Sequence, residues 1–161
     1  MLYLENMKQG KINKLSKEQK AYIAGFFDAD GCVTISKKDS VSKMFLKDYQ
    51  MVFIIVNTDI NIIEWLKNTI GAGCSYIVRK ESKYSKWRPC HRYQITGEKA
   101  RTLLKAILPY SIVKYQRIET VLELPITREK GRSGKRGRTN EEYINQERIY
   151  KKLKKQNKRG Q

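Results

Sequence analysis

AYIAGFFDADGCV, residues Ala21 to Val33, joins a run of apolar and small residues to two acids and a glycine, after which apolar and polar residues begin to alternate. The run reads as a helix and the alternation as a strand, so both acids stand at the junction. Ser16 followed three residues later by Gln19 has capping-box form, which starts the helix near Lys17, and Gly31 is expected as a left-handed residue just past its end. Asp28 and Asp30 then lie where the helix macrodipole is negative, which disfavours each by roughly 0.3–1 kcal/mol. A hard divalent cation held by carboxylate and carbonyl oxygens would offset that. Ala21, Ala24, Gly25 and Asp28 fall at i, i+3, i+4 and i+7, one face almost free of side-chain bulk, along which a partner helix could approach closely.

Downstream of the junction, Val33 and Ile35 alternate with Thr34, Ser36 and Lys38. A second strand follows a loop around residues 38–47, in the β-forming run Tyr49 to Val56, which Asn57-Thr58-Asp59 ends. Asp59 suits the N-cap of a helix over Ile60 to Ile70, closed by Gly71-Ala72-Gly73. Cys74 to Arg79 and Cys90 to Thr96 read as a hairpin around a basic loop, followed by helices from Gly97 to Leu108 and from Ile112 to Leu124. The order α-β-β-α-β-β-α predicts an α+β fold, a four-stranded antiparallel sheet with helices on one face and the other face open.

By alternation the open face carries Thr34, Ser36 and Lys38, Gln50, Arg79, and Arg92 with Gln94. Arg and Lys pair with guanine edges and Gln with adenine edges in a major groove that admits a β-ribbon. Val52, Ile54 and Val56 would point the same way, which means either apolar contact with thymine methyl groups or a register displaced by one residue.

Charge agrees with a polyanionic partner: 34 Lys and Arg against 16 Asp and Glu leave +18 on 161 residues. No stretch approaches the roughly 18 apolar residues of a spanning helix, so no membrane association is expected. The three cysteines, Cys32, Cys74 and Cys90, lack CxxC spacing, which argues against a zinc knuckle or a disulfide framework and for a reducing, intracellular compartment; they are expected as small buried residues. His91 is the single histidine, better suited to a structural or phosphate-facing role than to catalysis, so the available metal chemistry is that of carboxylates. Residues 126–161 hold 13 Lys and Arg against 4 Glu, half the net charge. They divide the chain into a core domain, 1–125, and a basic loop with a C-terminal helix and tail, 126–161. Within that loop Lys135, Arg136 and Arg138 suit a phosphate-binding strap, and Thr139 to Glu142 suits the cap of a final helix over Tyr143 to Leu153.

The segment Ile23-Ala24-Gly25-Phe26-Phe27-Asp28-Ala29-Asp30-Gly31 resembles the LAGLIDADG motif of homing endonucleases, and the order of elements resembles that family's over most of the chain. The resemblance implies a saddle-shaped sheet seated on double-stranded DNA, and phosphodiester hydrolysis with Mg²⁺ held by Asp30 and the carbonyl of Ala29. It implies that Asn57, where the family more often shows Gln, helps to organise the metal-bound water. Lys114, after Pro109-Tyr110-Ser111-Ile112-Val113, aligns with an active-site lysine, and Asp28 is expected to brace the helix pair rather than to bind metal. One motif in 161 residues implies a C₂ homodimer with a near-palindromic target, packed along Ala21, Ala24, Gly25 and Asp28. The resemblance implies an intron-encoded or intein-encoded protein of an organelle, bacterial or phage host. Some relatives act as RNA maturases, which makes RNA a possible partner, and a non-cleaving DNA-binding regulator is a third class; the presence of both motif acids favours the nuclease.

Overall fold

Helix α1 spans Lys17–Asp30 and begins where the sequence signals it: Ser16 Oγ accepts from the Gln19 amide at 3.2 Å, and Gln19 Oε1 accepts from the Ser16 amide at 3.0 Å. Its end differs from expectation. Gly31 is extended, with φ −85° and ψ 164°, and already opens strand β1, Gly31–Asp39. What demands glycine there is proximity, because an added Cβ would stand 2.1 Å from Phe27 Cδ2 and 2.6 Å from the Phe27 carbonyl oxygen, and Phe27 is fully buried. The computed structural model describes residues 10–39, 47–79, 88–125 and 139–158.

Strand β2 runs Lys47–Asn57 and α2 runs Ile60–Ile70, capped by Asp59, whose carboxylate accepts from the Asn61 amide at 2.8 Å. Gly71 takes the left-handed conformation, φ 67°, that ends α2. Strands β3, Cys74–Arg79, and β4, Cys90–Thr96, lead into α3, Gly97–Ile107, a 3₁₀ turn at Leu108–Tyr110, and α4, Tyr115–Leu122. The expected start of α4 at Ile112 moves to Tyr115. The backbone amides of 112–114 donate to the Asp28 carboxylate in the turn that precedes the helix. The last helix, α5, covers Asn140–Gln156 and starts with the capping box of Thr139 and Glu142.

The strands form one antiparallel sheet in the order β1-β2-β4-β3. Val33, Ile35, Met51, Phe53, Ile55, Tyr93 and Ile95 face the helices and are buried with Ile23, Ala24 and Phe27 of α1 and Leu103, Leu104 and Ile107 of α3. The opposite face is open, as the alternation predicts. Cα pairing of Thr34 with Val52 and of Val52 with Thr96, and of Val56 with Arg92, sets the apolar residues of β2 beside the polar ones of β1 and β4, so the register is not displaced.

Three expectations are corrected. Ala24 is fully buried in the protomer's own core, so it is not part of an exposed helix face. Cys32 and Cys74 are exposed, because alternation turns them to the open face; all three cysteines are free. Residues 139–158 do not stand apart from the core: Ile149 and Leu153 of α5 join the same apolar cluster. Helix α5 is also tied to the sheet through Glu147, which accepts from Lys37 Nζ at 2.8 Å and from the Tyr49 hydroxyl, and through Asn157 Nδ2, which donates to the Val33 carbonyl at 2.8 Å. No helix among the described residues is long and apolar enough to cross a membrane.

Candidate active site and nucleic-acid interface

Asp28 and Asp30 are two residues apart on the last turn of α1 and have opposite surroundings. The Asp28 carboxylate is saturated: Oδ1 accepts from Ser111 Oγ at 2.6 Å and the Lys114 amide at 3.0 Å, and Oδ2 accepts from the amides of Ile112 at 2.6 Å and Val113 at 3.1 Å. Burial pushes this carboxyl upward, but the four hydrogen bonds outweigh it and hold the group below the ordinary carboxylate range. Asp28 therefore braces the turn that precedes α4 in its own chain. Asp30 is exposed, and among the described residues a single hydrogen bond orients it, from Asn57 Nδ2 to Oδ2 at 2.9 Å.

Asn57 ends β2, and its amide is fixed at both ends. Its Oδ1 accepts from the Asp59 amide at 2.8 Å, which leaves Nδ2 to face Asp30. Asp59 is thereby both a cap for α2 and a support for Asn57. His91 pairs with Asn57 across β2 and β4.

Lys114 is 7% exposed, and its ammonium lies on the C-terminal carbonyls of α1. It donates to the oxygens of Phe27 at 2.7 Å, of Asp28, and of Ala29 at 3.4 Å. This is a helix C-terminus capped by a cation, the favourable counterpart of the negative dipole end. Burial lowers the Lys114 pKa below the ordinary lysine value and the Asp28 charge acts against it. Asp28 and Lys114 thus form a reciprocal clasp between α1 and the 111–114 turn.

The Asp30 carboxylate and the Ala29 carbonyl are hard oxygen donors, as Mg²⁺ or Ca²⁺ prefers. Lys114 holds the Ala29 oxygen only at 3.4 Å, and Asp30 keeps one oxygen unengaged by any described group, so both donors can turn to a cation. No group of three or more acidic, His or Cys side chains converges among the described residues. A cation here would need further oxygens from water, from phosphate or from a second protomer.

The open sheet face begins beside this site, since Gly31 and Asn57 are the adjoining ends of β1 and β2. Thr34, Ser36, Lys38, Gln50, Val52, Arg92, Gln94 and Thr96 line one shallow groove of about 330 Å³. Six of the seven open-face residues expected from alternation are therefore gathered on one surface. For Arg79 the backbone gives only its pairing with Cys90 after a register shift in β3; its side chain, together with Lys135, Arg136 and Arg138, lies outside the described residues. Thr96 and Tyr76 also occupy this face and were not expected. Extending the alternation of Arg92 and Gln94 by one step finds Thr96, and the register partner of Arg92 is Tyr76. Ser111, the buried partner of Asp28, carries no local signal beyond its place before Lys114.

Among solved structures, the homing endonuclease I-CvuI bound to a DNA target with calcium is similar at a TM-score of 0.68 and 17% identity, over 89% of this chain and 84% of that one. The archaeal intron-encoded homing endonuclease I-Vdi141I bound to DNA is similar at 0.66 and 18%, over 89% and 87%. The meganuclease I-SmaMI on uncleavable DNA is similar at 0.59 and 21%, over 88% of this chain but 45% of its own. No curated protein matches by sequence. Residues 23–117, more than half of the chain and the stretch that holds both acids, Asn57, Lys114 and the groove, match the family model of the LAGLIDADG endonucleases, and the chain belongs to that family.

Proposed function

We propose that the chain is a site-specific homing endonuclease, two copies of which seat their open sheet faces on a duplex and make a double-strand break by Mg²⁺-dependent phosphodiester hydrolysis at a long, near-palindromic site. The observation that carries this reading is the unequal use of the two motif acids: Asp28 is consumed by four hydrogen bonds, whereas Asp30 is exposed and held by Asn57 at the groove's edge. A bound divalent cation supplies Lewis acidity toward a phosphoryl oxygen and a more acidic water. Asp30 and the Ala29 carbonyl would hold it. Asn57 keeps the Asp30 carboxylate turned outward, and the buried Lys114 ammonium sets positive charge beside the place where negative charge develops. The groove's Arg92, Lys38, Gln50 and Gln94 supply base and phosphate contacts.

The dimer reading has support on the surface. By pinning the 111–114 turn, Asp28 leaves Ile112 87% and Val113 72% exposed, with Tyr22 half exposed on the adjoining helix. Gly25 is exposed, and a Cβ there would meet nothing within 4 Å. Apolar side chains presented beside a bare helix surface suit a second copy of the chain, which would also bring a second Asp30 to the site. Free cysteines suit a reducing compartment.

Selection of cleaved sites from a randomised duplex library in Mg²⁺, with Asp30→Asn in parallel, tests the whole reading. A discrete near-palindromic cut made only by the native chain is expected. Specific binding without cutting would replace it with a DNA-binding regulator, and retention of structured intron RNA alone would replace it with a maturase.

A further inference from the structure

On the open face, Arg92 of β4 stands between Val56 of β2 and Tyr76 of β3, its direct register partners. Its guanidinium lies over the Tyr76 ring, 5.8 Å from the centroid, and its Nε is buried without a hydrogen-bond partner, which leaves the terminal nitrogens as the donors it can offer to a base. One step along the same face of β4 is Gln94, flanked by Ile54 and Cys74. The Tyr76 hydroxyl donates to Gln94 Oε1 at 3.3 Å. A single tyrosine therefore touches two neighbouring polar side chains, one through its ring and the other through its hydroxyl.

A free glutamine reads adenine by using both ends of its amide: the nitrogen donates to N7 and the oxygen accepts from the N6 amino group. Tyr76 takes one of the oxygen's two lone pairs and tethers it toward β3. We infer that Tyr76 sets the base preference of the groove: by tethering the oxygen it keeps the Gln94 amide from presenting both of its ends to one adenine edge, and leaves the nitrogen, next to Arg92, as a donor for acceptor edges. Guanine, which offers O6 and N7, is selected opposite Arg92, and opposite Gln94 any base with a major-groove acceptor, guanine, thymine or adenine, is taken through one hydrogen bond with no preference for adenine. The inference rests on the reading of this face as the DNA-binding surface. It adds which base chemistry the surface takes and makes Tyr76 a positioning residue for specificity.

The test is selection by binding from a randomised duplex library, with Ca²⁺ in place of Mg²⁺ so that sites are recovered intact. The native chain is compared with Tyr76→Phe, Gln94→Ala and Arg92→Lys. Tyr76 is partly exposed on an edge strand, and phenylalanine keeps the ring, so the fold and the Arg92 stack persist. Arg92→Lys locates the guanine position and Gln94→Ala locates the second. The expected result is no adenine preference at the second position for the native chain, and a gain of adenine there of roughly tenfold in Tyr76→Phe with the guanine retained, because a bidentate contact has been restored. A native preference for adenine at that position, or a Tyr76→Phe profile identical to the native one, overturns the inference while leaving DNA recognition standing. Failure of every protein to enrich any duplex overturns both.

Discussion

Replacing each motif acid by its amide separates structure from chemistry. In Asp28→Asn the side chain keeps its shape but has one acceptor where there were two. Keeping its oxygen on the buried pair, Ser111 Oγ and the Lys114 amide, turns its NH₂ against the amides of Ile112 and Val113. Two charge-assisted hydrogen bonds are lost and two donors are opposed, each bond being worth about 1.5–3 kcal/mol, and water reaching the exposed 112–113 backbone recovers part of that. The expected destabilisation is about 2–4 kcal/mol, which corresponds to a Tm roughly 6–12 °C lower for a chain of this size. Asp30→Asn keeps an oxygen that can accept from Asn57, loses only the charge on that exposed hydrogen bond, and should stay within about 0.5 kcal/mol of the native chain. Urea unfolding at fixed chain concentration measures both. The Asp28 carboxyl has a folded pKa below its unfolded one, so its stabilisation is present above the unfolded value and disappears as the pH falls through the folded value. The gap between native and Asp28→Asn proteins should be constant near neutrality and close at acid pH. Cleavage should be lost in Asp30→Asn whatever its stability. Equal costs for the two amides, or a larger one for Asp30→Asn, would refute the division of roles.

Gly25→Leu should leave the protomer folded, since the added side chain enters open space and leucine is the better helix former by roughly 0.8 kcal/mol, and should turn a dimer into monomers in sedimentation. Gly31→Ala should cost about 1–3 kcal/mol or more in urea unfolding, because the methyl group would overlap the buried Phe27 ring and its carbonyl. Cleavage by the native chain should decline on the alkaline side below pH 10.5 as the buried Lys114 loses its proton. Lys114→Arg, charged throughout, should have lower activity but no such decline in a pH–rate profile.

Much of the fold is visible in local patterns. Caps at Ser16, Asp59 and Thr139 each start a helix where the sequence signals one, and the alternation of β1 and β4 assigns the open face. In β2 the alternation from Gln50 leaves a one-residue displacement open, because Met51 to Val56 is apolar on both faces. Only pairing with Thr34 and Arg92 turns Val52 and Val56 toward the groove. The small-residue face of α1 is split between two sides: Ala24, only a methyl group larger than Gly25, is buried in the core while Gly25 is exposed, so size alone does not say which side of a helix meets a partner. The cysteines were expected inside because free thiols usually are, but alternation decided their place.

The clasp between Asp28 and Lys114 lies 86 residues apart in sequence, beyond the reach of any local signal. Its logic is nevertheless helical. Successive residues turn by about 100°, so Asp28 and Asp30 project roughly 200° apart, on opposite sides of one turn. Two acids at that spacing cannot share a partner. One must meet the chain that packs against α1, which is the 111–114 turn, and the other must leave toward the end of β2, where Asn57 receives it. The same Lys114 that packs beneath Asp28 then covers the carbonyls of the last turn, offsetting the negative helix end that disfavours both acids. One exposed acid at the edge of a basic groove follows from the helical spacing of the motif, and the half-buried, fully hydrogen-bonded acid is what clasps the turn beside it.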